Sequence, residues 1–393
     1  MGSYLNTGFR AFEFSLNSEI YIDKSEIISL LNRFLNTRQR YICISRPRRF
    51  GKSFTAEMLS AYYSKGVDSS FLFDNLRISK SDFYKKHLNK YNTIFIDMQQ
   101  FLSNADKDVS KMLSNLESEI KKELKTLYPE QEISEERQLN QILSDIYSKE
   151  TDSLGESNGF VFIIDEWDCI MREKQTDADG IKLYLDYLRA LFKDRSYVSL
   201  AYMTGILPIK KYGTHSALNM FREFSMTEPG EYAPFVGFTE EDVRELCNQF
   251  KADFNSMKKW YDGYIFDNDL HLYNPNSVVE SLLRKKFLSY WSQTETIESL
   301  SRYTDLNVEG LRDGIVSLIA GNEILVNSET FQNDMTTCNN KDDVFTLLIH
   351  LGYLAINPDS KIRAFDNDKS LLVVHIPNNE IRKEFKNIMK NWS

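Results

Sequence analysis

Apolar positions gather in short unbroken runs that end in polar or charged residues. Residues 41–44 (YICI) run into a basic loop, YNTIFIDM ends near Asp97, residues 160–164 (FVFII) run into Asp165 and Glu166, and YVSLAYMTGIL ends in Thr204 and Gly205. Continuous runs of this length suit strands buried on both faces. Between them lie helical patterns such as DVSKMLSNLESEIKKELKTLY, whose charges form a solvent face. This order predicts an α/β fold, a parallel sheet with helical crossovers. Ahead of the first run, Asp23 and Glu26 in YIDKSEIISLLNRFLN have the spacing of a capping box opening an amphipathic helix. Beyond about residue 230 the texture changes to shorter helices and turns, starting at VGFTEEDVRELCNQF, where Thr239 and Asp242 form another capping pair. KWYDGYIF reads as a packed turn around Gly263, and LYNPNSVVESL places Asn274 and Pro275 at a helix start. The last stretch predicts a helix (VFTLLIHLGYL), a β-hairpin and a final helix from Asn379, a winged-helix-like arrangement.

The first run carries the chemistry. In SRPRRFGKS, Gly51, Lys52 and Ser53 open a helix, offering backbone N–H groups and an ammonium to phosphates and a hydroxyl to Mg²⁺. Arg46 stands where such loops have their first glycine, which implies a differently folded entrance or a guanidinium aimed at phosphate. The expected nucleotide contacts are Arg46, Arg48, Arg49, Phe50, Gly51, Lys52, Ser53 and Phe54. A basic turn before a helix is the plainer reading of the same segment. The acidic run tips the balance, because carboxylates at a strand's carboxyl end sit where open α/β sheets bind ligands. Asp165 is then the Mg²⁺ ligand with Ser53, and Glu166 the general base. Thr204, at the end of the next strand, either orients the attacking water or bonds backbone. Asp97 reads mainly as a helix cap.

Composition narrows the class. A chain of 393 residues with 42% hydrophobic residues can bury at least two cores. Cys43, Cys169, Cys247 and Cys338 show no C-x-x-C spacing, so neither disulfides nor zinc are expected. No long apolar run and no signal-peptide pattern is visible, which gives a cytoplasmic expectation without membrane contact. The net charge of −9 argues against a broad basic surface for nucleic acid. Arg46, Arg48, Arg49 and Lys52 form a local patch read as phosphate contacts, and Arg284, Lys285 and Lys286 a solvated helix end.

Taken in order, YIDKSEII, SRPRRFGKS, FIIDEWD, MTGILPI, GFTEEDV, KWYDGY, LYNPNSV, LIHLGYLA and IPNNEIRKEF resemble the AAA-ATPase-like family of prokaryotic P-loop proteins across nearly the whole chain. The family's own loop has the RPRRFGKS form. The resemblance implies Lys52 and Ser53 as phosphate and Mg²⁺ ligands, Asp165 and Glu166 as the acidic pair, and ATP as the nucleotide. It implies a P-loop domain over 1–230 and a mostly helical module over 231–393. Relatives often continue into a PD-(D/E)xK-type nuclease, which is not expected here: the sequence stops at Ser393, and no late acidic strand is followed by an E-x-K element, the spacing of Glu123 and Lys125 lying in the polar helix before the acidic strand.

Two functions from different classes stay open, beside a degenerate scaffold that binds nothing. One is a Mg²⁺-dependent ATPase driving the C-terminal module or a protein effector. The other is an ATP-binding switch or adaptor without turnover, working beside a partner or nucleic acid. Arg172 and Arg222 are the arginine-finger candidates, and a finger from a second copy would make hydrolysis depend on a homo-oligomer.

Overall fold

The computed structural model describes residues 1–154, 158–174, 176–209, 218–291, 308–331, 340–358 and 370–390. The chain divides into two compact units. One comprises Met1–Ile44, Lys52–Gly205 and Ile209–Phe224; the other comprises Ser45–Gly51, Ile206–Pro208 and Ser225–Ser393. The two short excursions, Ser45–Gly51 and Ile206–Pro208, fall at the carboxyl ends of two strands, where no local sequence pattern marks them.

The first unit is built on a five-stranded parallel sheet. Its strands are β1 (Tyr41–Ser45), β2 (Asn92–Asp97), β3 (Phe160–Asp165), β4 (Val198–Gly205) and β5 (Arg222–Phe224), in the order β2-β3-β4-β1-β5. Every residue of β1, β3 and β4 is buried, as their unbroken apolar runs require. β5 escapes that pattern because it is three residues long and begins with an exposed Arg222; its parallel pairing with β1 defines it. Helix Lys52–Tyr63 packs against β2, β3 and β4. Helix Val109–Leu127 turns Met112, Leu116, Ile120 and Leu124 inward at helical spacing, each fully buried and worth roughly 2 kcal/mol. The capping box at Asp23 and Glu26 does not form. Asp23 instead accepts the backbone N–H groups of Ser25 and Arg77, and the helix that follows is only Ile27–Asn32.

In the second unit, β6 (Phe238–Thr239), β7 (Tyr264–Phe266) and β8 (Leu270–Tyr273) form an antiparallel sheet in the order β6-β8-β7. Thr239 and Asp242 close the expected capping box on helix Glu240–Phe250. Asn274 caps helix Pro275–Arg284 through the Ser277 N–H, with Pro275 in its first turn. Farther along come helix Lys341–His350, strands β10 (Ala355–Ile356) and β11 (Leu371–His375) paired antiparallel, and helix Asn379–Lys390. That is the helix, hairpin and helix read from the sequence. β9 (Ile324–Asn327) adds a third strand on the other edge of β11. Buried Glu380 ties this part together, one carboxylate oxygen accepting from the Tyr290 and Trp291 N–H groups and the Ser277 hydroxyl.

Candidate functional site

Three chain segments of the first unit converge at the carboxyl ends of its central strands. Helix Lys52–Tyr63 begins with Lys52, whose side chain is buried, followed by exposed Ser53. β3 delivers Asp165, 3% exposed and in register with Asp97 at the end of β2. Glu166 follows at φ +52°, a left-handed conformation that turns the chain out of the sheet; its N–H donates to Asp165 Oδ1 at 2.9 Å. Trp167 N–H then donates to the Thr204 carbonyl at 3.1 Å, fixing the turn against the end of β4.

The Ser53 hydroxyl lies near enough to the Asp165 carboxylate to favour its charged form, which sets the two groups expected to bind Mg²⁺ side by side. Burial pushes the Asp165 carboxyl up to about 6 despite that hydrogen bond, with Glu166 adding to the rise. Lys52 Nζ lies 4.0 Å from Glu166 Oε1. Burial lowers the Lys52 pKa, opposed by Glu166, Asp165 and Asp168. The second oxygen of Glu166 is held by Arg172 Nη2 in a short ion pair, and Arg172 Nε donates to Asp168 Oδ2 at 3.2 Å. Burial pulls Arg172 down, but Asp168 and Glu166 outweigh it and raise its pKa. The acidic pair therefore faces two cations on a largely dry floor.

Residues 7–214 match the family described as Predicted AAA-ATPase, a stretch covering more than half of the chain. The chain belongs to the Predicted AAA-ATPase family. A curated relative, an uncharacterised protein in the vnfD 5′ region of Azotobacter chroococcum mcd 1, is 27% identical over 142 residues. That match spans 35% of this chain and 27% of the relative's length. Among solved structures, a Walker-type ATPase of Pyrococcus abyssi aligns over 92% of this chain and 94% of its own at 13% identity and a TM-score of 0.41. The Aeropyrum pernix ORC2 protein, in ADPNP–ADP complexes, aligns over 98% of both chains at 12% identity and a TM-score of 0.28. Membership of the Predicted AAA-ATPase family supports nucleotide binding and ATPase activity in general terms.

The other residues expected to touch nucleotide in this AAA-ATPase family member have these surroundings. Phe54 packs its ring on Phe12 and Tyr21, with centroids 6.0 and 5.7 Å away, inside an aromatic cluster of the first unit. Phe50 is fully buried against Tyr264 of the second unit. Arg46 is likewise fully buried and donates to the Ser45 carbonyl, and Arg49 Nη1 donates to the Tyr290 carbonyl at 2.9 Å. Arg48 is exposed. Gly51 sits at φ +89° with open space where a Cβ would stand, so backbone angle rather than crowding calls for glycine there. Thr204 is buried and its hydroxyl donates to the Ile44 carbonyl at 3.0 Å, stitching β4 to β1; of the two sequence readings this is the backbone bond. Asp97 caps helix Met98–Asn104 through the Gln100 N–H. Glu123 accepts the N–H groups of Ser3, Tyr4 and Leu5, a structural use of that carboxylate.

Arg172 was legible only as a finger candidate, although its i, i+4 spacing from Asp168 signals an ion pair on one helix face. Glu240, Asp262 and His271 also approach one another within 4.8 Å. The Lys258 ammonium, 2.6 Å from Glu240 and 3.6 Å from Asp262, makes this group an ion-pair network. Cys43, Cys169 and Cys247 are free and buried, and Cys338 lies outside the described residues. Among the described residues, no helix is long and apolar enough to cross a membrane.

Proposed function

We propose that the protein is a Mg²⁺-dependent ATPase whose nucleotide state is coupled to the C-terminal module, to a protein effector or to nucleic acid. The observation carrying this reading is the convergence of Ser53, Asp165, Lys52 and Glu166 at one end of the sheet. The donor set suits the metal: a hydroxyl beside a carboxylate, oxygen ligands of the kind Mg²⁺ takes with several waters retained. Bound there, Mg²⁺ would neutralise phosphate charge. Lys52 is poised to donate its ammonium to the β- and γ-phosphates at the N-terminal end of helix Lys52–Tyr63, the end of a helix that favours anions. Glu166 would leave Arg172 and orient the attacking water as general base. A cytoplasmic setting belongs to the same proposal.

The test compares wild type with Lys52→Ala and Glu166→Gln by thermal unfolding with Mg²⁺·ATP and by phosphate release. Saturation near a hundredfold over Kd should stabilise wild type by about 2.7 kcal/mol. Stabilisation of wild type and Glu166→Gln but not Lys52→Ala, with phosphate released by wild type alone, is the expected result. No stabilisation of wild type would end the nucleotide reading.

A second reading, the ATP-binding switch, draws on one observation. Arg172 and Lys52 both engage Glu166, so both of its carboxylate oxygens must be released before they can hold an attacking water. Nucleotide-dependent stabilisation without phosphate release, unchanged by Glu166→Gln, would select it.

A further inference from the structure

The sequence motifs after residue 230 that nucleotide chemistry leaves unexplained meet in the second unit, on the segment Ser45–Gly51. Asn274 of LYNPNSV, 2% exposed, donates Nδ2 to the Arg48 carbonyl at 3.3 Å. Tyr264 of KWYDGY meets the Phe50 ring edge-on at 5.5 Å and donates its hydroxyl to the Gly352 carbonyl at 2.6 Å. Gly352 of LIHLGYLA, at φ +84°, lets the backbone approach Pro47 so closely that an added Cβ would stand 2.9 Å from its ring. Tyr290, whose carbonyl accepts from Arg49, is itself fixed by its N–H to Glu380 of IPNNEIRKEF at 2.7 Å.

The loop needs such support. It has Arg46 in the place of a first glycine, and Arg49 holds a left-handed φ of +65°, which costs a non-glycine residue on the order of 1 kcal/mol. Strain of this kind persists only where surrounding structure over-determines it. Gly51 is joined directly to Lys52, so the backbone held at Pro47–Phe50 is the segment that leads into the phosphate-binding helix.

We propose that Asn274 is a positioning residue for the phosphate-binding loop: within the second unit it holds the segment Ser45–Gly51 in shape, in place of the conformational freedom a first glycine would give. This rests on the nucleotide reading above. It also gives that reading a route for coupling, because a loop that adjusts to phosphate pulls on Asn274 at the start of helix Pro275–Arg284.

Asn274→Ser separates positioning from capping. Serine caps a helix as well as asparagine does, through an acceptor for the Ser277 N–H, but it adds no buried charge and is too short to reach the Arg48 carbonyl. The expected result is a melting temperature without nucleotide lowered by no more than a few degrees and a Kd for Mg²⁺·ATP raised about tenfold by calorimetry. Wild-type affinity in Asn274→Ser would overturn the proposal while leaving the nucleotide reading intact. Failure of wild type to bind would overturn both. Hydrogen exchange on wild type needs no variant: Mg²⁺·ATP should slow exchange in residues 270–284 as well as in 47–60. Protection confined to 51–60 and 160–170 would equally overturn the positioning role.

Discussion

At the scale of single residues, the place of Asp165 and Glu166 at the carboxyl end of a strand was legible because buried parallel strands write themselves as unbroken apolar runs; Asp97 closes such a run too, and caps a helix. The environment of the acidic pair was not legible. Arg172 reaches Glu166 through a turn that depends on the left-handed backbone at Glu166, which no local pattern signals. Burial is equally invisible, and it decides a pH dependence. Asp165 titrates near 6 rather than in the ordinary carboxylate range, so below that pH the metal must displace a proton to bind. Stabilisation by Mg²⁺·ATP should therefore be small at pH 5, rise through pH 6 and level off above pH 7. Thermal unfolding across that range, with ATP in EDTA as the reference, checks it. A metal-dependent increment already full at pH 5 would mean that Asp165 is not the ligand.

Elements were readable where one face or one run decides them. β1 to β4, the capping box at Thr239 and the cap at Asn274 follow from local sequence. β5 did not, since three residues with an exposed arginine carry no run. The Asp23 box failed because Arg77, 54 positions away, competes for the same carboxylate. Long-range use of a carboxylate also governs the final helix. Glu380, in its first turn, is 1% exposed, and burial pushes its pKa up to about 7 although it accepts hydrogen bonds from Tyr290, Ser277 and Trp291. Between the ordinary value of 4.5 and about 7 the folded state holds a proton that the unfolded chain has lost. The stability linked to this proton is thus complete below pH 4.5 and disappears as pH rises through 7, a change on the order of 3 kcal/mol. Glu380→Gln keeps an acceptor for the three donors and removes the titration. Urea midpoints from pH 5 to pH 8 should fall for wild type beyond the change seen in the variant, and parallel curves would show that Glu380 is not the source.

For the whole molecule, the question is whether one chain holds a complete catalytic set. The proposed hydrolysis draws on Lys52, Ser53, Asp165 and Glu166, and neither arginine singled out from the sequence is poised to act as a finger. Arg172 is committed to Glu166 and Asp168. Arg222 lies over the rings of Phe34 and Phe224, with its guanidinium carbon 5.0 and 5.3 Å from their centroids. A guanidinium delivered by a second copy would complete the set, since stabilising charge on the transferring phosphoryl group accelerates such reactions by about 10³ to 10⁵. Phosphate release per chain should then climb with protein concentration, in step with self-association followed by sedimentation. Turnover per chain that stays constant while the protein passes from monomer to assembly would place the whole catalytic set within one copy, and Arg172, released from Glu166, would be the first group to test in that role.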